Sequence, residues 1–232
     1  MQLVLIPSYN TGPKLYDTVV TALRYWPAIW VVIDGSNDDS DKTLLALDAN
    51  GLRVIRRPEN GGKGAAILDG LRLAQQYGFH DVLIMDADGQ HPVTEIPSFM
   101  ADAEQHPGTM ILGIPHFDGS APKIRVWGRK ISNLLARWET GLPIGDVLFG
   151  FRVVPVQELL AVMEASPYMR GYDFDTESLV HLCWRGVPLR HRIVAVYYFS
   201  AEEGGISHFH YLRDNLRLAA MHLRLLVTKS LQ

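Results

Sequence analysis

The stretch LIMDADGQHP, from Leu83 to Pro92, starts as an apolar strand and ends with two aspartates one residue apart. In open α/β folds, ligands bind at the carboxyl ends of the strands. Two hard carboxylate oxygens at such an edge suit Mg²⁺ or Mn²⁺, which takes its remaining ligands from water and substrate phosphates. Taken alone, Asp86 and Asp88 are equally well explained as a solvated acidic turn.

Short apolar runs of the same kind alternate with helical patterns on the N-terminal side of this stretch. We predict strands at Leu3–Ile6, Ile29–Ile33, Leu52–Arg56 and Val82–Met85, and helices at Lys14–Tyr25, Asp41–Ala49 and Gly64–Tyr77. This alternation is typical of an α/β fold in which helices cover both faces of a mostly parallel central sheet.

The alternation weakens on the C-terminal side. Gly and Pro interrupt residues 108–150, which predicts loops around one helix, Arg129–Glu139. The final stretch, His208–Gln232, has leucines at near-helical spacing with basic residues between them, which predicts an amphipathic helix. Between these regions we predict a helix at Val156–Glu164, an acidic segment at Tyr172–Glu177 leading into a helix to Trp184, and a strand-like run at Ile193–Phe199.

The composition narrows the class of protein. With 232 residues, of which 47% are hydrophobic and 20% charged, the chain is expected to form one domain with a sizeable core. Its net charge of -3 gives no overall attraction to nucleic acid, so we expect no nucleic-acid partner. A single cysteine, the absence of a signal-peptide pattern and the lack of an apolar run of about 20 residues predict a cytoplasmic protein, either soluble or on a membrane surface.

Polar residues also follow other predicted strands. Asp34 ends the second strand, where a carboxylate can accept hydrogen bonds from a base or ribose, although an ordinary capped turn is the alternative. The run Pro7-Ser8-Tyr9-Asn10 leaves the first strand and supplies an aromatic face and an amide. The run Asn60-Gly61-Gly62-Lys63-Gly64 is a glycine-rich turn beside a helix start, where phosphate can be held. These loops and the two aspartates are expected to converge on one nucleotide-sized site.

Five ordered motifs carry a resemblance to a known family. The runs IPSYN, IDGSND, ENGGKGAA, DADGQHP and DVLFGFR are similar to those of the inverting family 2 glycosyltransferases of GT-A fold, most of all to the dolichyl- and polyprenyl-phosphate sugar synthases. The resemblance covers about Leu3 to His210. It implies a GT-A, Rossmann-like catalytic domain at 1–207 and an amphipathic helical tail at 208–232. It also implies transfer of a sugar, with inversion, from a nucleotide-diphosphate sugar to an acceptor such as a lipid or lipid phosphate.

The resemblance implies roles for the donor-binding residues by position. Pro7, Tyr9 and Asp34 match positions that enclose the nucleotide base, and Lys63 lies in the family's glycine-lysine turn. We add Asn10 to this nucleotide-sugar-binding set because its amide follows the same strand. The family commonly has two aspartates after the second strand, whereas Ile33 precedes Asp34 here, so the choice between a UDP- and a GDP-linked donor stays open.

The resemblance likewise implies the groups that meet the diphosphate. Asp86, Asp88 and Gln90 match the family's metal-diphosphate triad, so Mg²⁺ or Mn²⁺ is the expected cofactor. Arg129 resembles an arginine that meets phosphate, and Arg152 closes the family's aspartate-to-glycine-x-arginine element. We hypothesise that the metal neutralises the leaving diphosphate while Arg152, Arg129 or the turn lysine adds positive charge.

The acidic segment resembles the family's acceptor region. A hydroxyl acceptor would need a general base, for which Asp175 and Glu177 are candidates, whereas an acceptor phosphate would not. Capping of a helix start is the alternative role of both carboxylates. His208 lies in a run that resembles a closing loop and is a candidate for donor contact. The run Gly113-Ile114-Pro115 departs from the family's usual Gly-Ser-Arg, which leaves acceptors other than a lipid phosphate open.

The tail and two rival functions complete the predictions. The basic amphipathic tail either packs on the catalytic domain or a partner copy in a homo-oligomer, or contacts the anionic inner face of the cytoplasmic membrane. A nucleotidyltransferase that makes the sugar donor is one rival, but its glycine- and arginine-rich first loop is missing. A non-catalytic sugar- or lipid-binding module on the same fold is the other, and a donor-hydrolysis assay with Mn²⁺ would discriminate it.

Overall fold

In the part of the chain that the structure describes, seven strands form one mixed sheet in the order β3-β2-β1-β4-β6-β5-β7. The structure, a computed structural model, describes residues 1–47, 49–116, 123–195 and 211–230. The strands are β1 (Gln2–Ser8), β2 (Ile29–Asp34), β3 (Leu52–Arg57), β4 (Asp81–Ile84), β5 (Met110–His116), β6 (Arg152–Pro155) and β7 (Leu189–Ala195). The first four are parallel to one another, β6 is antiparallel to β4 and β5, and β7 is parallel to β5.

Helices cover both faces of this sheet. They are α1 (Pro13–Leu23), α2 (Ser40–Leu45), α3 (Lys63–Gln76), α4 (Ile96–Gln105), α5 (Lys123–Thr140), α6 (Val156–Glu164), α7 (Phe174–Trp184) and α8 (Tyr211–Ser230). Leu3 and Leu5 of β1 face a core that α3, α6 and α7 complete, whereas Val4 and Ile6 face a second core with α1 and α4. Successive strand residues point to opposite faces, so an unbroken apolar run becomes buried on both sides. The predicted α/β fold with a mostly parallel central sheet is confirmed.

The prediction of loops around a single helix in residues 108–150 is wrong. Strand β5 occupies residues 110–116, and α5 begins six residues before the predicted helix. A Cβ at Gly113 would lie 2.7 Å from Cε1 of Phe149, so close packing and not a turn explains this glycine. Strand β5 pairs with β6 only through Ile111 and Leu112, and a proline beyond that point, Pro115, therefore costs no bond to β6.

Helix α8 packs against the rest of the protein along the face that carries Met221 and Leu225. His222 of α8 hydrogen-bonds Glu139 at the end of α5, with 2.8 Å between Nδ1 and Oε1. Helix α8 occupies Tyr211–Ser230 within the predicted tail, whose residues 208–210 and 231–232 lie outside the described part of the chain. Within the described parts of the chain, the length and apolarity of the helices fall short of what a membrane span requires.

Candidate active site

A cleft of about 950 Å³ opens at the carboxyl ends of β1, β2 and β4. This volume lies within the range of small-molecule sites. The predicted residues among its walls are Pro7, Tyr9, Asp34, Lys63, Asp86, Asp88 and Asp175. The described lining does not include Asn10, Gln90, Arg129, Arg152 or Glu177. His208 lies outside the described residues.

Asp34 fixes the glycine-rich turn that borders the cleft. Its Oδ1 accepts a hydrogen bond from the Gly61 amide at 3.0 Å, and its Oδ2 accepts one from the Gly62 amide at 2.8 Å. The guanidinium of Arg57 donates to Oδ1 as well. Gly62 has a φ of +96°, and a Cβ there would lie 2.5 Å from the carbonyl oxygen of Arg170. Only glycine meets both requirements, and the turn thereby brings the next side chain into the cleft.

Lys63, the first residue of α3, joins the carboxylates of two different elements. Its Nζ lies 2.8 Å from Oδ1 of Asp86 and 2.7 Å from Oδ2 of Asp175. Burial would lower the pKa of Lys63, but the two carboxylates raise it above its usual value. Burial would raise the pKa of Asp86, but the charge of Lys63 lowers it to about 2. Lys63 and Asp86 are therefore both charged at neutral pH.

Gly150 leaves room for this charged group. A Cβ at residue 150 would lie 2.9 Å from Nζ of Lys63 and 3.3 Å from Oδ2 of Asp86. A side chain at this position would displace the lysine or the aspartate from the other. The glycine of the DVLFGFR motif therefore serves the packing of the site.

Asp88 lies beside Asp86 in the same wall of the cleft. Its Oδ1 accepts a hydrogen bond from the backbone amide of Gln90 at 3.0 Å. Burial and the neighbouring charge of Asp86 raise the pKa of Asp88 above its usual value. A divalent cation relieves this kind of repulsion between carboxylates.

The donor set fits Mg²⁺ or Mn²⁺. Among the described residues, no cluster of three or more His, Cys, Asp or Glu side chains is arranged to hold a metal. Two carboxylates are sufficient for Mg²⁺ when substrate phosphates and water supply the other ligands. Asp86 and Asp88 both line the cleft and offer hard oxygen atoms to such an ion.

His91 supports the loop that carries the aspartates. Its Nδ1 accepts a hydrogen bond from the backbone amide of Asp86 at 2.9 Å, so this nitrogen carries no proton. Its ring packs edge-on against Phe149, with 4.9 Å between centroids. Burial lowers the pKa of His91, which keeps the ring neutral. The imidazole thus fixes the end of β4 relative to the loop before β6.

Arg152 lies beneath Asp175 and not in the described wall of the cleft. Its Nη1 donates to the backbone carbonyl of Asp175 at 2.6 Å, and its Nη2 lies 3.1 Å from Oδ1 of the same residue. The guanidinium also lies 5.0 Å from the centroid of the Phe174 ring. These contacts orient Asp175 toward Lys63. The diphosphate role hypothesised for the arginine stays a prediction.

The two candidate bases point in different directions. Glu177 is buried, and its carboxylate accepts hydrogen bonds from Nε and Nη2 of Arg224 at 3.2 and 2.7 Å. This pair joins α7 to α8. Of Asp175 and Glu177, only Asp175 belongs to the described lining of the cleft.

Arg129 and Asn10 stabilise loops around the site. Nη1 of Arg129 lies 2.7 Å from Oδ2 of Asp146, which ties α5 to the segment before β6. Oδ1 of Asn10 accepts a hydrogen bond from the amide of Asn37 at 2.9 Å, which joins the loops after β1 and β2. The structure therefore gives both side chains these partners and places neither in the described lining of the cleft.

Sequence reasoning missed the arginines that α8 contributes to the cleft. Arg213, Arg217 and Arg224 line it together with Arg170 from the segment before α7. The spacing of the three α8 arginines places them on one helix face, and this was the signal available in the sequence. The sequence pattern did not reveal which part of the protein that face would meet.

Comparison with known proteins settles the family. The model of glycosyl transferase family 2 matches residues 3–174. The chain belongs to glycosyl transferase family 2. This family 2 chain is 28% identical over 216 residues to the polyprenol monophosphomannose synthase of Mycolicibacterium smegmatis. The alignment covers 88% of this chain and 79% of the relative.

Two further relatives act on undecaprenyl phosphate according to their names. The undecaprenyl-phosphate mannosyltransferase of Micrococcus luteus is 27% identical, with coverage of 84% of this chain and 81% of the relative. The undecaprenyl-phosphate 4-deoxy-4-formamido-L-arabinose transferase of Pseudomonas fluorescens is 30% identical over 72% of this chain. The present chain spans about half of the length of that relative, 51%.

Solved structures place the fold. Glucosyl-3-phosphoglycerate synthase from Mycobacterium tuberculosis, in complex with Mn²⁺, uridine-diphosphate and phosphoglyceric acid, matches with a TM-score of 0.70. The match covers 99% of this chain and 78% of that chain at 18% identity. At this identity the likeness establishes the fold alone, and the GT-A expectation for this family 2 protein is confirmed.

Proposed function

We propose that the protein is a divalent-metal-dependent inverting glycosyltransferase that moves a sugar from a UDP- or GDP-linked donor to a lipid-phosphate acceptor. The placement of Asp86 and Asp88 beside Lys63 in one cleft is the observation that carries this proposal. The solved neighbour with Mn²⁺ and uridine-diphosphate supports a metal and a nucleotide diphosphate in a cleft of this fold.

The acidic residues and the lysine of the cleft have separate tasks in the proposed reaction. A divalent ion on Asp86 and Asp88, when bound, supplies the positive charge that neutralises the leaving diphosphate. Lys63 adds a second positive charge to the same cleft. Asp175, fixed by Arg152, holds the amine of Lys63 in place, and the acceptor attacks the anomeric carbon from the side opposite the diphosphate. An acceptor phosphate is already ionised at neutral pH, so Asp175 has no proton to remove.

The lipid character of the acceptor is supported by the surface of α8. Leu216, Leu223 and Val227 are among its most exposed side chains, at 63%, 66% and 53%. They lie on one stripe of the helix with arginines beside them, an arrangement typical of helices that contact an anionic membrane surface. We propose peripheral contact with the inner face of the cytoplasmic membrane through this stripe. The names of the polyprenyl-phosphate relatives support the same acceptor class.

Replacement of Asp88 with Asn tests the metal role. Transfer of labelled sugar from UDP-glucose or GDP-mannose to undecaprenyl phosphate, with Mn²⁺ present, should nearly disappear. The fold should persist, because among the described residues the Asp88 side chain accepts one hydrogen bond, from the amide of Gln90. Asp17→Asn, on the exposed face of α1, is the matched control and should transfer at the wild-type rate. Undiminished transfer by the Asp88 variant would remove the metal role.

Donor binding is measured separately by thermal shift with UDP and GDP. Binding to the native state raises the apparent stability by about 2.7 kcal/mol at a ligand concentration 100 times Kd. The shift should require Mn²⁺ or Mg²⁺ in the wild type and be lost in the Asp88→Asn variant. Binding of a nucleotide without sugar transfer to any acceptor would favour a non-catalytic binding module instead.

Membrane contact is tested by flotation with anionic liposomes. Replacement of Leu216 and Leu223 with Gln should reduce the bound fraction, and replacement of Leu45 of α2, which is 52% exposed, with Gln should not. Equal flotation of all three proteins would dismiss the contact through α8.

A further inference from the structure

Helix α8 presents three faces that differ in character. One face packs on the protein through Met221, His222 and Leu225. A second face lines the active-site cleft with Arg213, Arg217, Ala220 and Arg224. A third, immediately beside the arginines on the helical wheel, is the exposed apolar stripe of Leu216, Leu223 and Val227. A row of guanidinium groups inside the cleft therefore borders a row of apolar side chains outside it.

The charges of the cleft are segregated. Asp86, Asp88 and Asp175 lie around Lys63 near the end of β4 and the start of α7, whereas the four arginines come from α8 and the segment before α7. Asp34 and Asp173 also line the cleft, but backbone amides donate hydrogen bonds to both carboxylates. The acidic side suits the metal and its diphosphate. The basic side lies in the same cleft and offers a place for a second anion.

Among the described residues, the ion pairs of these arginines involve two carboxylates, those of Asp214 and Glu177. Nε of Arg213 lies 3.0 Å and Nη1 of Arg217 lies 3.9 Å from the same atom, Oδ1 of Asp214. The guanidinium of Arg170 donates to the backbone carbonyls of residues 163, 166 and 168. Arg213 and Arg217 are more than half exposed and line the cleft, and their contacts with described residues leave donors of each guanidinium for a ligand. Planar guanidinium groups with spare donors match the oxygen atoms of a phosphate.

We propose that Arg213 and Arg217 of α8 form the subsite that binds the phosphate monoester of the acceptor, with Arg224 holding the helix in place through Glu177. The inference rests on the proposed function and assigns its acceptor end. The apolar stripe lies beside these arginines and can contact a hydrocarbon chain attached to the bound phosphate. The favoured ligand is therefore an alkyl or prenyl phosphate. A water-soluble phosphate ester shares the phosphate chemistry but would leave the apolar stripe unused.

Calorimetric titration of the full chain with octyl phosphate, below its micelle concentration, tests the subsite without requiring turnover. The Arg213→Gln/Arg217→Gln double variant should bind octyl phosphate about tenfold more weakly or worse, because it loses charge-assisted hydrogen bonds. Arg213→Lys/Arg217→Lys keeps both charges and should retain most of the affinity. Arg185→Gln removes a half-exposed arginine that pairs with Glu158 outside the cleft lining and should bind like the wild type.

Two further probes identify the source of the phosphate. Octyl phosphate that binds more tightly than glycerol 3-phosphate supports a lipid-borne acceptor. Equal affinity for the two esters, lost in the Gln variant, supports the phosphate subsite with a water-soluble acceptor. Unchanged binding of octyl phosphate in the Gln variant, or an equal loss for the neutral amphiphile octyl glucoside, would overturn the proposal.

Enzyme kinetics separate this inference from the proposed function. In the Gln variant the acceptor KM should rise by the same factor as Kd, while the donor KM and the binding of UDP or GDP stay at wild-type values. Failure of the wild type to transfer sugar from UDP-glucose and GDP-mannose would count against the proposed function. The octyl phosphate titration decides the subsite in either case.

Discussion

Replacement of Lys63 with Met removes the cation between Asp86 and Asp175 and keeps a side chain of similar length. In the wild type, Nζ lies 2.8 and 2.7 Å from the two carboxylates, and the lysine side chain is 13% exposed. The variant leaves both carboxylates without this partner. We therefore expect a loss of stability at neutral pH.

The size of this loss follows from what each carboxylate keeps. Removing one partner of a fully buried ion pair costs about 3–5 kcal/mol, because an uncompensated charge remains. Asp175 is 7% exposed but retains Arg152 at 3.1 Å, and Asp86 is 36% exposed and gains water. Both features reduce the cost, and we expect the free energy of unfolding to fall by about 2–3 kcal/mol.

Lys42→Met is the matched control. Nζ of Lys42 lies at the same distance, 2.8 Å, from Oδ1 of Asp39, but these side chains are 68% and 70% exposed. An exposed pair contributes about 0–1 kcal/mol. Urea unfolding, followed by circular dichroism and extrapolated linearly to water, measures both variants. Equal losses in the two variants would refute the reasoning that burial makes the Lys63 pair important.

Three more predictions concern helices α3, α5, α7 and α8. Glu177→Gln should lower the free energy of unfolding by about 2 kcal/mol at pH 7, because the bond to Arg224 loses its charge. Burial would raise the pKa of Glu177, but hydrogen bonds from His181 and Arg224 lower it. The stability difference between wild type and variant should therefore be full above the ordinary glutamate pKa and vanish as pH falls through the lowered pKa. Urea unfolding at a series of pH values measures this difference. Burial raises the pKa of the Cys183 thiol to about 11, so iodoacetamide at pH 8 should label the native protein far more slowly than the urea-unfolded protein, as mass spectrometry would detect. Gly64→Ala would place a Cβ 2.0 Å from a backbone carbonyl and should cost about 1–3 kcal/mol or more, whereas Gly128→Ala has open space in α5 and should be neutral or stabilising in thermal unfolding.

The sequence predicted the N-terminal half of the fold well, because its strands are apolar runs buried on both faces. The predicted run Ile29–Ile33 corresponds to β2, Ile29–Asp34, and the predicted helix Val156–Glu164 is α6 with the same bounds. Strand β5 was missed because Gly113 and Pro115 are also the residues of turns. The packed ring of Phe149, the short pairing with β6 and the pairing of β5 with β7 along its whole length show why they belong in a strand.

Side-chain direction limited the prediction of the site. The acidic segment was located correctly on the chain, but Asp175 faces the cleft and Glu177 faces α8. A spacing of two residues at a helix start places side chains on different faces. Which of these faces borders the cleft depends on where the neighbouring helix packs, and the sequence does not show this. The same reason explains why Arg217 was treated as part of an amphipathic tail and not as part of the cleft.

The bonds of Asp34 couple the two ends of the cleft. Asp34 holds the amides of Gly61 and Gly62, and the adjoining residue carries the amine that balances Asp86. Asp34 and Asp86, at opposite sides of this turn, are thus linked through three consecutive residues, Gly61, Gly62 and Lys63. A substitution at Asp34 would therefore be expected to shift the ammonium group of Lys63 as well, so under the proposed function it would change donor preference and turnover together.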